Sequence, residues 1–150
     1  MTKNHELSKL GQSVWLDNIK RSLIAGGGLQ ELIDQGVVGI TSNPSIFENA
    51  IAGSGDYDDS IADLAAAGKS PMEIYEALAI EDIANAADLL VPVYEETDGL
   101  DGYVSLEVDP TLAHDTAETR AEARRLFAEV GRPNVMIKVP ATNCRPCDPQ

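Results

Sequence analysis

Four short runs of the chain rich in apolar residues each predict a β-strand: 13–17, 37–41, 103–108 and 135–139. Side chains on a strand point to opposite faces in turn, so residues two apart share a face. Val14 and Leu16 share one face of the first run, opposite Ser13, Trp15 and Asp17. Val38 and Ile40 oppose Gly39, Thr41 and, if the strand direction persists, Asn43. Val104, Leu106 and Val108 oppose Ser105 and Glu107, and Val135, Ile137 and Val139 oppose Met136 and Lys138.

Between the strands the period changes to that of a helix. Ile80, Ile83, Ala84 and Ala87 follow i, i+3, i+4, i+7 spacing, as do Ala123, Leu126, Phe127 and Val130. Asp115 with Glu118 three residues on can cap the second of these helices, and Gly131 followed by Pro133 ends it. A further helix is expected over 71–78, in the long insert between the second and third strands. Gly26-Gly27-Gly28 and Gly53-Ser54-Gly55 read as turns. Short strands alternating with helices are the pattern of parallel βα units.

The four strands repeat one arrangement. One face is β-branched or leucine and suits packing against helices. The other is mixed and ends, at the C-terminal side, in a polar residue: Asp17, Asn43, Glu107 or Lys138. In a (β/α)8 barrel the chemistry gathers at that end, on the inward face. Each residue also has an ordinary explanation: Lys138 as a solvated edge residue, Asp17 as a helix cap, Asn43 as a turn residue before Pro44, Glu107 as an ion-pair partner. None of these explains the shared phase. Lys138 stands out because Val135, Met136, Ile137, Val139 and Pro140 around it are apolar. A buried amine is poorly hydrated, which favours its neutral, nucleophilic form, and such lysines make Schiff bases with carbonyl substrates.

Composition narrows the partners. The 150 residues carry 25 acidic and 11 basic side chains, a formal charge of −14. A nucleic-acid or anionic-membrane partner is not expected, since both need clustered Lys and Arg. No apolar run approaches a membrane span, and the first residues lack the apolar core of a secretory signal. Two cysteines do not make a disulfide scaffold. A cytoplasmic protein is expected, and no metal site or cofactor is expected from any ligand cluster. Cys144-Arg145-Pro146-Cys147 is a CxxC without a flanking helix, and Gly68-Lys69-Ser70 lacks the earlier glycine of a phosphate loop. His5 and His114 read as solvated polar residues.

With these residues assembled, the chain resembles the transaldolase family in its longer bacterial form. Gly36-Val37-Val38-Gly39-Ile40-Thr41-Ser42-Asn43-Pro44-Ser45-Ile46-Phe47 is similar to one family signature, and Val135-Met136-Ile137-Lys138-Val139-Pro140-Ala141-Thr142 to the start of a second. Trp15-Leu16-Asp17-Asn18-Ile19 and Ser105-Leu106-Glu107-Val108 fit its first and third strands. The resemblance implies transfer of a dihydroxyacetone unit from sedoheptulose 7-phosphate or fructose 6-phosphate to an aldose phosphate, in the pentose phosphate pathway, with no cofactor. By position it makes Lys138 the imine-forming nucleophile, Asp17 the acid/base of carbon–carbon cleavage, and Glu107 a group acting through a water. Asn43, with Thr41 and Ser42 beside it, would hold the dihydroxyacetone fragment.

The resemblance covers residues 8–142 and departs from the family after them, where 143–150 reads as a separate tail. The expected architecture is an incomplete (β/α)8 barrel of class α/β: four strands with helical inserts, residues 1–142 forming the N-terminal half. The family's substrate-phosphate site would fall in the other half. Inactivity of this chain alone is therefore expected, with self-association through the exposed barrel edges. Two alternatives remain: another Schiff-base aldolase, disfavoured by the Thr-Ser-Asn-Pro frame of Asn43, and a half barrel with a purely structural or binding role.

Overall fold

The computed structural model describes residues 2–142. In chain order these form α1 (Lys3–Ser8), β1 (Trp15–Asp17), α2 (Arg21–Ala25), α3 (Gly28–Asp34), β2 (Gly39–Thr41), α4 (Pro44–Ala52), α5 (Asp58–Ala66), α6 (Pro71–Glu96), β3 (Tyr103–Glu107), a 3₁₀ turn at Pro110–Leu112, α7 (Thr116–Val130) and β4 (Val135–Lys138). All three strand pairs are parallel, in the order β1-β2-β3-β4. Four parallel strands alternating with helices make an incomplete (β/α) barrel, as the alternating pattern predicts.

The strands are shorter than their apolar runs. Val108 and Val139 lie past the ends of β3 and β4, and Val139 is half exposed rather than packed with Val135 and Ile137. The two helices read from 71–78 and 80–87 are one continuous helix, α6. Ser70 and Glu73 start it with a reciprocal capping box, and Pro71 occupies the first turn, where its missing N–H costs nothing. Lys69 pairs with Glu73, so Gly68-Lys69-Ser70 serves as the junction of α5 and α6. Asp115 caps α7 by accepting from the Glu118 N–H, and Gly131 ends it in the left-handed conformation. His5 is partnered rather than solvated, its ring nitrogen accepting from the Thr2 N–H within the α1 cap. His114 is exposed.

The core lies on the outer face of the sheet. Ile40, Val104, Leu106 and Val135 pack with Ile83, Ala86, Ala87 and Leu90 of α6 and with Leu126 and Val130 of α7. The insert is tied down by polar contacts. Asp82 is fully buried, accepting from the Tyr57 hydroxyl at 2.7 Å and the Arg21 Nε at 3.0 Å. Burial pushes the Asp82 carboxyl up, and these two donors oppose the shift. The Arg21 N–H donates to the same Tyr57 hydroxyl, so α2, α5 and α6 are joined just behind the end of β1. At the other end of the sheet the Asn134 amide, buried, donates to the Ala87 and Gly102 carbonyls and fixes the entry to β4. Among the described residues no helix is long and apolar enough to cross a membrane.

Candidate active site

Parity holds along the sheet. The register pairs Asp17 with Thr41 and Glu107 with Lys138, so both pairs lie side by side on the face opposite the core. That face is unevenly covered: Gly39 and Ser105 are buried on it, whereas Asp17 is exposed. Trp15 lies across Gly39, where an added Cβ would collide with the indole. A side chain on Gly39 would displace the ring, so this position suits glycine.

Lys138 projects from the end of β4. Its Nζ donates to the Ser42 carbonyl at 2.7 Å and lies 3.3 Å from a Glu107 carboxylate oxygen. The expectation of a buried lysine is corrected: its side chain is 39% exposed. The apolar neighbours in sequence do not surround it. Val135 and Ile137 point to the core, whereas Met136, which shares its face, is itself 43% exposed. Charge pairing and a fixed carbonyl, rather than burial, define its surroundings.

Glu107 is half-buried at the end of β3. Behind it, between α4, α6 and α7, lies a hollow of about 460 Å³ whose walls include Tyr75, Ile80, Leu106 and Leu126, with Glu48 and Asp109. Burial raises the Tyr75 hydroxyl pKa, and the carboxylates of Glu107, Asp109 and Glu48 add to the shift.

Asn43 follows β2 and is the N-cap of α4, its side-chain oxygen accepting from the Ile46 N–H at 2.9 Å. Its ordinary role is therefore a helix cap rather than the turn residue expected, and the cap fixes the carboxamide at the same sheet end as Lys138. Asp17 is exposed at the end of β1. It caps no helix, since α2 begins after Lys20.

Thr41 and Ser42 differ in what they can reach. Thr41 is half-buried, and its hydroxyl accepts from that of Ser105 at 3.0 Å. Ser42 is fully buried, its hydroxyl donating to the Ser105 carbonyl at 2.6 Å. It meets Lys138 through its backbone carbonyl alone. Ser105 is the member of this cluster that sequence reasoning did not single out. Its signal was present: a hydroxyl between Val104 and Leu106 on the same face as Glu107.

Among the described residues no three His, Cys, Asp or Glu side chains are grouped to hold a metal ion. The CxxC at Cys144 and Cys147 lies outside the described residues.

A partial parallel barrel with an amine, two carboxylates and a carboxamide at its strand ends has the architecture of the α/β barrels, whose strand ends gather at the barrel mouth. Residues 14–145 match the model of the Transaldolase/Fructose-6-phosphate aldolase family, and the chain belongs to that family. It is 53% identical over 145 residues to Transaldolase 2 of Nostoc punctiforme, covering 95% of this chain and 38% of that relative. It is 55% identical over 138 residues to the transaldolase of Thermobifida fusca, covering 91% and 38%. With the transaldolase of Neisseria gonorrhoeae it shares 48% over 143 residues, covering 95% and 41%. The chain thus spans about two-fifths of the length of these relatives.

Proposed function

We propose that this chain carries the imine-forming portion of a transaldolase site, with Lys138 as nucleophile, Asp17 and Glu107 as acid/base groups, and Asn43, flanked by Thr41 and Ser42, against the substrate. The observation that carries the reading is the position of the Lys138 amine, 3.3 Å from Glu107 and 2.7 Å from the Ser42 carbonyl, at the strand end that also bears Asp17 and Asn43. The relatives' name, transaldolase, favours transfer to a second sugar over release to water.

The chemistry needs few groups. The neutral amine adds to the ketone carbonyl of sedoheptulose 7-phosphate or fructose 6-phosphate, and loss of water leaves an iminium. Glu107, the carboxylate nearest the amine, is placed to manage those protons through a water. The iminium accepts the electrons of the adjacent C–C bond as Asp17 takes the proton of the neighbouring hydroxyl. An aldose leaves, and the enamine retained on Lys138 attacks the aldehyde of the acceptor aldose phosphate. Hydrolysis then returns the amine. The iminium is the electron sink, so this scheme calls on neither metal nor cofactor. The pentose phosphate pathway and a cytoplasmic location belong to the same reading, as does the division into a barrel portion, 1–142, and a separate tail, 143–150.

Toward β4, at Met136 and Lys138, the inner face of the described sheet is open, and β1 and β4 have unpaired edges. We read the chain alone as inactive and prone to self-association through those edges. Treated with fructose 6-phosphate and borohydride, it should keep its mass; an adduct at Lys138 would show that these strands suffice. Set into the Nostoc punctiforme relative in place of the matching segment, it should support transfer and gain one reduced adduct at Lys138. Lys138→Met in that chimera should abolish both. A folded Lys138→Met chimera that still transfers the three-carbon unit would overturn the assignment.

A further inference from the structure

Nothing in the scheme above uses the hydroxyl of Ser105, although it sits at the centre of a buried polar cluster near Lys138. β2 stops at Thr41 and the chain turns into α4, so the regular ladder to β3 ends there. Three bonds to Ser105 continue it. Its hydroxyl donates to the Thr41 hydroxyl at 3.0 Å and accepts from the Ser42 N–H at 3.3 Å. Its carbonyl accepts from the Ser42 hydroxyl at 2.6 Å. Ser105 is 3% exposed and Ser42 0%, so water does not compete for these groups.

The cluster leaves the Ser42 carbonyl facing Lys138. With its N–H and hydroxyl both bonded to Ser105, the Ser42 backbone cannot rotate without breaking buried hydrogen bonds, so the acceptor at 2.7 Å from Nζ is fixed. One N–H of the amine is thereby directed, and with it the lone pair that must meet a carbonyl carbon.

We propose that Ser105 is a positioning residue for Lys138, acting through the backbone of Ser42. This rests on Lys138 as the imine-forming residue, yet the contact itself is testable without any sugar. In the intact chain, Lys138 should acylate more slowly than exposed lysines such as Lys3, because its amine is held by two acceptors. Ser105→Ala should raise that rate severalfold, the change expected on losing about one hydrogen bond, while Lys3 keeps its rate. Ser105→Thr retains the hydroxyl and should restore the slow rate. If Ser105→Ala does not fold, Thr41→Val removes the acceptor of the Ser105 hydroxyl and should give a smaller rise in the same direction. A Lys138 rate within about twofold of the parent in the folded variant, or no rescue by Ser105→Thr, overturns the proposal. In the chimera, Ser105→Ala should lower kcat more than it raises KM. If the chimera forms no adduct at Lys138 while the acylation rates behave as stated, the functional reading fails and the positioning role stands.

Discussion

The two faces of one four-stranded sheet differ in how completely they are covered. On the outer face Ile40 and Val104 are fully buried under α6 and α7, and Ile83 and Leu90 opposite them are fully buried as well. On the inner face Ser105 is buried beside β2, but Met136 is 43% exposed and Lys138 39%. The same strands supply both, one residue apart. The outer face is closed by helices adjacent in sequence, so its stability is local to these residues. The inner face of a barrel is closed by strands on the opposite wall, and the described sheet provides four. The candidate chemistry lies on the face that local sequence does not complete.

This contrast is open to direct attack. Ile83→Ala should cost about 2–5 kcal/mol in urea denaturation, because a filled core site would become a cavity. Met136→Ala should cost about 0.5 kcal/mol or less, as surface replacements do. Equal losses would mean that the inner face is packed in solution, by a second copy or otherwise.

Gly39→Ala sharpens the inner-face side of the comparison. In a closed core, the added methyl would cost about 1–3 kcal/mol of overpacking. On an open face the indole of Trp15 can swing aside, so the expected loss is at the low end, about 1 kcal/mol. Trp15 is the only tryptophan, so its emission should shift to the red. A larger loss with unchanged emission would place the ring in a closed core.

The smallest effect concerns the outer helices. Glu73 accepts from Ser70 and pairs with Lys69, and its carboxyl pKa falls from an ordinary value near 4.5 to about 2. A lowered folded-state pKa means that the unfolded chain binds the proton more readily. The stabilisation is therefore complete above pH 4.5 and disappears as the pH falls toward 2. The melting-temperature gap between the parent and Glu73→Gln should narrow over that window. A gap independent of pH would remove the charged carboxylate from the account of the α6 cap.

Much of the fold was legible because its signals are local. The alternation of Val104, Ser105, Leu106 and Glu107 gave both the strand and its two faces, and Asp115 with Gly131 marked the ends of α7. The merging of two expected helices into α6 was not legible, since helical spacing marks a face within each stretch and not the continuity between them. Val108 and Val139 continue the apolar runs of β3 and β4 but lie past the strand ends, because pairing partners decide where a ladder stops.

The sequence by itself determined which side chains share a face and which strand ends carry Asp17, Asn43, Glu107 and Lys138, because backbone periodicity is a local property. It also contained the motifs by which the family is recognised. Tertiary structure alone decided that Lys138 is half exposed and held by Glu107 and Ser42, and that Ser105 ties β2 to β3. Those facts depend on atoms 31 to 96 residues apart in the chain for the lysine's two partners, and 63 for Ser42 and Ser105. Register and packing, which no short window of sequence encodes, bring them together.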